Sequence, residues 1–150
     1  MKVKKNLVKS APRNALFIIN PVSGQGDKKK RKEEILTIAK ELGWKGKVVE
    51  TTKTLSAGEI ATEEMKNGVT HIVVCGGDGT IMETLQVIIN TDVILGIVPL
   101  GTGNLFAQNL NITGSRKDMI QRALFGTEHK VDVGRANGTI FAIIAGMGFD

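Results

Sequence analysis

Between residues 73 and 80 an apolar run stops in four residues with almost no side-chain bulk: Val73-Val74-Cys75-Gly76-Gly77-Asp78-Gly79-Thr80. A helical pattern follows at once through Ile81, Leu85, Ile88 and Ile89. Strand, glycine turn and helix start in immediate succession leave few folds open. Backbone N–H groups in such a turn approach a bound group closely, because no side chain blocks them. The helix N-terminus adds the positive end of its dipole. The arrangement predicts a phosphate cradle made of Gly76, Gly77, Gly79 and Thr80. Asp78 stands out within it. A carboxylate beside phosphates is repelled unless a metal or a proton transfer employs it, so its presence points to chemistry rather than simple anion binding.

The rest of the chain repeats the alternation. Ala15–Ile19 is a continuous apolar run of the kind that fills a strand buried on both faces. Asn20-Pro21 breaks it, a glycine-bearing loop follows, and Asp27 is placed to cap a helix through Ile35, Leu36, Ile38, Ala39 and Leu42. Lys47–Glu50 reads as a second strand, Ile60 to Met65 as part of a second helix, His71–Cys75 as the third strand and Val93–Val98 as a fourth. A short helix near Asn104 and another over Lys117–Phe125 come next. This order predicts an α/β fold in three layers, with a mostly parallel sheet between helices. Ligands in such folds collect beyond the carboxyl ends of the strands. Three glycine-bearing loops, Asn20 to Gly26, Gly76 to Thr80 and Gly101 to Asn104, should therefore gather on one edge. The last segment differs. Lys130–Arg135 and Thr139–Ala145 read as strands of a hairpin turning at Asn137-Gly138, which we expect to open a second, antiparallel domain beyond residue 150.

At 150 residues the chain suits one domain, with about two-thirds of its unfolded surface buried. The formal net charge is +5. Part of it sits in Lys2, Lys4, Lys5, Lys9 and Arg13, and part in Lys28-Lys29-Lys30-Arg31-Lys32. The second run is either a solvated helix turn or the neighbour of a polyanionic ligand. Cations are awkward at a helix N-terminus, and such a ligand removes the awkwardness. Cys75 is the one cysteine; an intrachain disulfide is impossible, a reducing cytoplasm is implied, and a small buried residue is expected there. His71 and His129 lack partners at metal-binding spacing. Few aromatics accompany the basic residues, which argues against nucleic acid. Walker and dinucleotide patterns both fail: no Lys and hydroxyl follow a last glycine, and Gly24-x-Gly26, Gly101-x-Gly103 and Gly146-x-Gly148 each lack a third glycine.

Four motifs in order resemble the catalytic domain of the diacylglycerol kinase, sphingosine kinase and bacterial lipid kinase superfamily. They are Asn20-Pro21-Val22-Ser23-Gly24, then Gly76-Gly77-Asp78-Gly79-Thr80 with Glu83, then Pro99-Leu100-Gly101-Thr102-Gly103-Asn104, and Gly146-Met147-Gly148-Phe149-Asp150. The central loop is shared with NAD kinases and phosphofructokinase-like folds; the first and third motifs narrow the resemblance to lipid kinases. It implies ATP and Mg2+ as cofactors and a lipid hydroxyl as acceptor. Asn20, Pro21, Ser23, Gly24 and Thr51 are implied at the nucleotide, with Gly76, Gly77, Gly79 and Thr80 on phosphates. Glu83 is implied at the nucleotide or its metal, and Gly101, Thr102, Gly103 and Asn104 complete the pocket. Asp78 is implied as general base or organiser of metal and acceptor. Plainer roles stay open for some of these. Glu83 and Thr51 could be solvated, and Asn104 is also a good helix cap. Asn104-Leu105 departs from the Asn-Asp of many diacylglycerol-kinase-like members and is closer to sphingosine-kinase-like ones.

The implied organisation is a basic segment over residues 1–13, a nucleotide-binding domain over 14–127, and a hairpin over 128–150 that leads into the second β domain. The function expected is transfer of the γ-phosphoryl group of ATP to a diacylglycerol- or sphingosine-like lipid, within phospholipid biosynthesis. Residues 1–150 alone should have little activity. The alternatives are an NAD kinase and a nucleotide-binding module without catalysis. The partners expected are a nucleotide, a lipid acceptor and a transient membrane surface, with a cytoplasmic, peripheral location. Nucleic acid is excluded, and a homodimer is compatible with the sequence.

Overall fold

The computed structural model describes residues 15–141 except 102. Four parallel strands form one sheet: β1 (Ala15–Ile19), β2 (Lys47–Glu50), β3 (His71–Gly76) and β4 (Ile94–Pro99), in the order β2-β1-β3-β4. β1 and β3 are central, and every residue of both is buried. This accounts for their unbroken apolar sequence: a strand covered on both faces has no polar side to alternate with.

Helices cover the two faces. On one, α1 (Lys28–Glu41) and α5 (Arg116–Phe125) pack Ile35, Ala39, Ile120 and Leu124 against Phe17, Val73 and Val98. On the other, α2 (Ala57–Lys66), α3 (Asp78–Ile88) and the short α4 (Leu105–Asn109) pack Ile60, Ile81, Ile88 and Phe106 against Leu16, Ile18, Ile72 and Val74. Successive residues of β1 and β3 feed opposite cores, as strand geometry requires. Each large side chain buried there contributes about 1.5–3 kcal/mol. Trp44 adds a polar anchor: its indole N–H donates to the Ala15 carbonyl at 2.9 Å, and its ring meets Phe17 edge-on at 4.8 Å.

The strand order places the site. From β1 the chain moves outward to β2, then crosses back to β3 on the other flank of β1. The direction of winding reverses between β1 and β3, and a crevice opens there at the carboxyl end of the sheet. Both central strands end at glycine-bearing loops.

The hairpin is shorter than its sequence suggests. β5 (Gly134–Ala136) and β6 (Thr139–Phe141) pair antiparallel over three residues each. Asn137 (φ 51°) and Gly138 (φ 77°) make the expected turn. The strand expected over Lys130–Arg135 is confined to its end. Lys130 to Val133 alternate in polarity but have no partner strand among the described residues, and Val131 is exposed. The segment expected as strand over residues 142–145, the Gly146–Asp150 motif and the basic segment 1–13 lie outside the described residues.

His71 opens β3 and is buried. A carbonyl only accepts, so the ring donates from Nε2 to Ala123 of α5 at 2.8 Å. Its Nδ1 is buried without a partner. Burial pushes its pKa below the usual 6.5, opposed by the Ala123 bond and by Glu128. The unfolded chain therefore takes up this proton first, and the stability due to neutral His71 is lost as pH falls below 6.5 toward the folded value. Thermal unfolding between pH 7.5 and 5.5 should show a smaller acid-side loss in His71→Gln than in the unaltered protein. Identical pH slopes would remove His71 from the titration.

Candidate functional site

Three loops meet at the crevice. The first leaves β1 at Asn20, which ties it to the second. The Asn20 amide donates to the Thr80 hydroxyl at 3.0 Å, its backbone N–H donates to the Cys75 carbonyl at 2.9 Å, and its Oδ1 accepts from the Val22 N–H at 3.1 Å. A residue with both donor and acceptor on a short stem is needed for this, which explains asparagine at the strand end. Gly24 has φ +79°, and a Cβ there would collide with the Leu100 carbonyl oxygen of the third loop.

The first loop is also held from beneath. Arg31 is the one buried cation among the described residues. Its Nη1 donates to the Gln25 carbonyl at 2.6 Å and its Nη2 to the Pro21 carbonyl at 3.1 Å. The basic run therefore divides. Lys28, Lys29 and Lys30 are exposed, while Arg31 folds back under the loop. Neither sequence reading of the run separated Arg31 from the lysines. A signal was available: Arg31, Ile35 and Ala39 recur at four-residue spacing and are the buried residues of α1.

The second loop is Gly76–Thr80. Gly77 caps α3 with no side-chain acceptor, and the first N–H groups of a helix have no partner within it. A Cβ on Gly76 would press on the Thr80 side chain, whereas one on Gly77 or Gly79 would meet no atom within 4 Å among the described residues outside its own turn. The outer face of this turn is open space. The same is true at Gly101 and Gly103 in the third loop. That loop closes on the second: the Leu100 N–H and the Asn104 amide both donate to the Gly76 carbonyl, at 3.2 and 3.3 Å.

Asp78 holds the two loops together. Its Oδ2 accepts from the Leu105 N–H at 3.0 Å and its Oδ1 from the Phe106 N–H at 3.1 Å. Asn104 Oδ1 takes the Ala107 N–H at 2.9 Å. The first three N–H groups of α4 are thus filled by side chains, and this short helix has no free N-terminus for an anion. Glu83 is likewise occupied, accepting the Ala57 N–H at the start of α2 at 3.0 Å.

Beside the first loop lies a cleft of about 480 Å³, within the range of small-molecule sites. Asn20, Pro21, Thr51 and Glu83 line it, and Thr52, Lys53, Thr54 and Ser56 join them from the β2–α2 loop, with Glu59 from the first turn of α2. Ser23, Gly24 and the glycines of the second and third loops sit at the crevice rather than in the cleft wall. Thr102 lies outside the described residues. Another concavity, of about 330 Å³ along α5, contains none of the predicted residues. Cys75 is buried at the end of β3, and burial drives its thiol pKa far up, as suits a packing residue. No three His, Cys, Asp or Glu side chains gather as a metal cage among the described residues, and no helix described is long and apolar enough to cross a membrane.

Residues 14–136 match the family described as the diacylglycerol kinase catalytic domain. A putative lipid kinase of Streptococcus pneumoniae is 36% identical over 138 residues, covering 91% of this chain and 47% of that protein. A diacylglycerol kinase of Bacillus subtilis is 33% identical over 141 residues, covering 91% and 46%. A crystal structure of a putative diacylglycerol kinase from Bacillus anthracis superposes with a TM-score of 0.72 at 27% identity, covering 86% of this chain and 48% of that one. The chain spans about half the length of the relatives it matches.

Proposed function

The chain belongs to the diacylglycerol kinase catalytic-domain family, and on that premise we propose that it is the nucleotide-binding part of an ATP-dependent lipid kinase. The reaction joins a lipid hydroxyl oxygen to the γ-phosphorus of ATP, breaks the bond from that phosphorus to the β-bridging oxygen, and passes the hydroxyl proton to a base. The observation that carries this reading is the convergence of the three loops at the β1/β3 reversal, with an empty outer face at Gly77, Gly79, Gly101 and Gly103. Phosphates approach a backbone closely only where side chains are missing.

Within this reading Asn20, Pro21 and Thr51 hold the nucleoside end in the cleft. Ser23, Gly24, Gly76, Gly77, Gly79 and Thr80 receive the phosphates, and Gly101, Thr102, Gly103 and Asn104 complete the pocket. The residues present fit a magnesium nucleotide: Mg2+ binds through one or two carboxylates and keeps phosphates and waters as its other ligands, and Asp78 and Glu83 are the carboxylates at hand. When bound, the ion neutralises charge on the phosphates. Asp78 accepts the hydroxyl proton or orients the acceptor. Residues 128–150 lead toward a second domain that forms much of the lipid pocket, and contact with a membrane surface is transient.

Thin-layer analysis of radiolabelled products from a lipid panel, using the full-length protein and labelled ATP, tests the reading. Label should enter a diacylglycerol- or sphingosine-like lipid. Label in NADP and in no lipid would overturn it in favour of an NAD kinase, which shares the central loop.

A further inference from the structure

We infer that Arg31 is a positioning residue for the nucleotide's phosphates: from beneath the first loop it turns the loop's N–H groups outward and supplies a positive charge that no carboxylate among the described residues balances. The inference rests on the nucleotide-binding reading above.

Three observations carry it. First, the guanidinium bridges the two ends of the loop, taking the carbonyls of Pro21 and Gln25. A peptide's C=O and N–H point in opposite directions because the unit is planar and trans. Drawing these two carbonyls inward therefore faces the N–H groups of Val22 and Gly26 outward. Asn20 takes the first, and no group among the described residues takes the second.

Second, Arg31 has no carboxylate within 4 Å among the described residues, unlike the less buried cations Lys32 and Arg116. Lys32 pairs with Glu50 at 3.2 Å, and Arg116 with Glu34 at 2.6 Å. Burying a guanidinium without a counter-charge is costly. A neutral amide also donates to carbonyls, though more weakly, so stapling alone does not require a full charge. The retained charge makes sense if an anion completes the site from the other side of the loop.

Third, the loop it supports cannot shift freely. Gly24 lies against the Leu100 carbonyl, and the position of its missing Cβ is 3.5 Å from Arg31 Nη1. Arg31 thus backs the first loop at the point where that loop abuts the third.

The test is calorimetric titration of the full-length protein with ATP, ADP and AMP, together with thermal unfolding, for Arg31→Met and Arg31→Lys. Methionine keeps the apolar stem and loses both the charge and the bridge. It should weaken ATP binding by about tenfold or more, ADP binding less, and AMP binding least. Lysine keeps the charge but cannot span both carbonyls, and should fall between methionine and arginine. A purely structural staple would lower stability and weaken all three nucleotides equally. That pattern, or unchanged ATP affinity in a folded variant, overturns the inference. Should the methionine variant fail to fold, the lysine variant decides on the same criterion. If the unaltered protein binds no ATP, the nucleotide reading fails first, and the inference with it.

Discussion

Replacing Asp78 with alanine in the full-length enzyme should lower lipid phosphorylation by about 10²–10⁴-fold, the usual worth of a positioned proton acceptor, while ATP affinity stays within a few-fold. The carboxylate stands between the second and third loops, half-buried at the start of α3. Each oxygen already accepts one N–H of α4. An ionised carboxylate offers about four lone-pair sites, so two remain for an acceptor hydroxyl or a metal. The fixed pair aims those two. Loss of the cap itself costs about 1 kcal/mol, too little to explain a hundredfold fall in turnover. Asp78→Asn separates the two duties. Its amide oxygen still caps one N–H of α4, but the side chain carries no charge and takes no proton. If chemistry is the main duty, kcat falls in Asn as far as in Ala. Near-normal kcat in Asn with a strong loss in Ala would leave Asp78 as a cap for α4 and nothing more.

That double engagement marks the limit of what the amino-acid string discloses. The unbroken apolar stretches of β1 and β3 are local patterns, and their burial on both faces follows from sheet geometry alone. The crowding of glycines after β1, β3 and β4, and the gathering of those loops on one edge, follow from a parallel topology. Asp78's bonds to Leu105 and Phe106 span 27 and 28 residues, and no periodicity reports a side chain that crosses from one loop to another. Arg31 escaped notice for a related reason. It sits in a block of five consecutive cations, and composition suggests one solvated surface where the helix in fact rotates one member inward. Lys130 to Val133 erred in the opposite sense. Their alternation is genuine, but a strand needs a partner as well as a pattern, and the three-residue pairing of β5 and β6 begins only at Gly134. The cleft wall from Thr52 to Glu59 lacked any distinguishing residue type, because hydroxyls and a capping box in a loop look the same whether or not a ligand lies against them.

Two glycine substitutions should part company, and the contrast bears on the phosphate cradle more directly than either alone. Gly77 has φ −100° and ψ −174°, extended backbone open to any residue. A Cβ there meets nothing among the described residues. Gly77→Ala should therefore fold with a stability change within about 1 kcal/mol, the scale of an N-cap preference for glycine over alanine. Its methyl group projects into the space assigned to the phosphates, and ATP affinity should fall by at least about tenfold, since one misplaced group in a close-packed site costs of the order of 1.4 kcal/mol or more. Gly24 is the opposite case. At φ +79° with the Leu100 carbonyl directly against it, alanine imposes both strain and collision, and Gly24→Ala should lose about 1–3 kcal/mol of stability along with nucleotide affinity. Thermal unfolding and calorimetric titration read both variants side by side. Binding lost at Gly77 with stability retained assigns the empty face to a ligand, because packing among the described residues provides no reason for a glycine there. Undiminished ATP affinity in Gly77→Ala would mean that no phosphate comes close to this turn, and the cradle would have to be abandoned even if the protein proved to be a kinase.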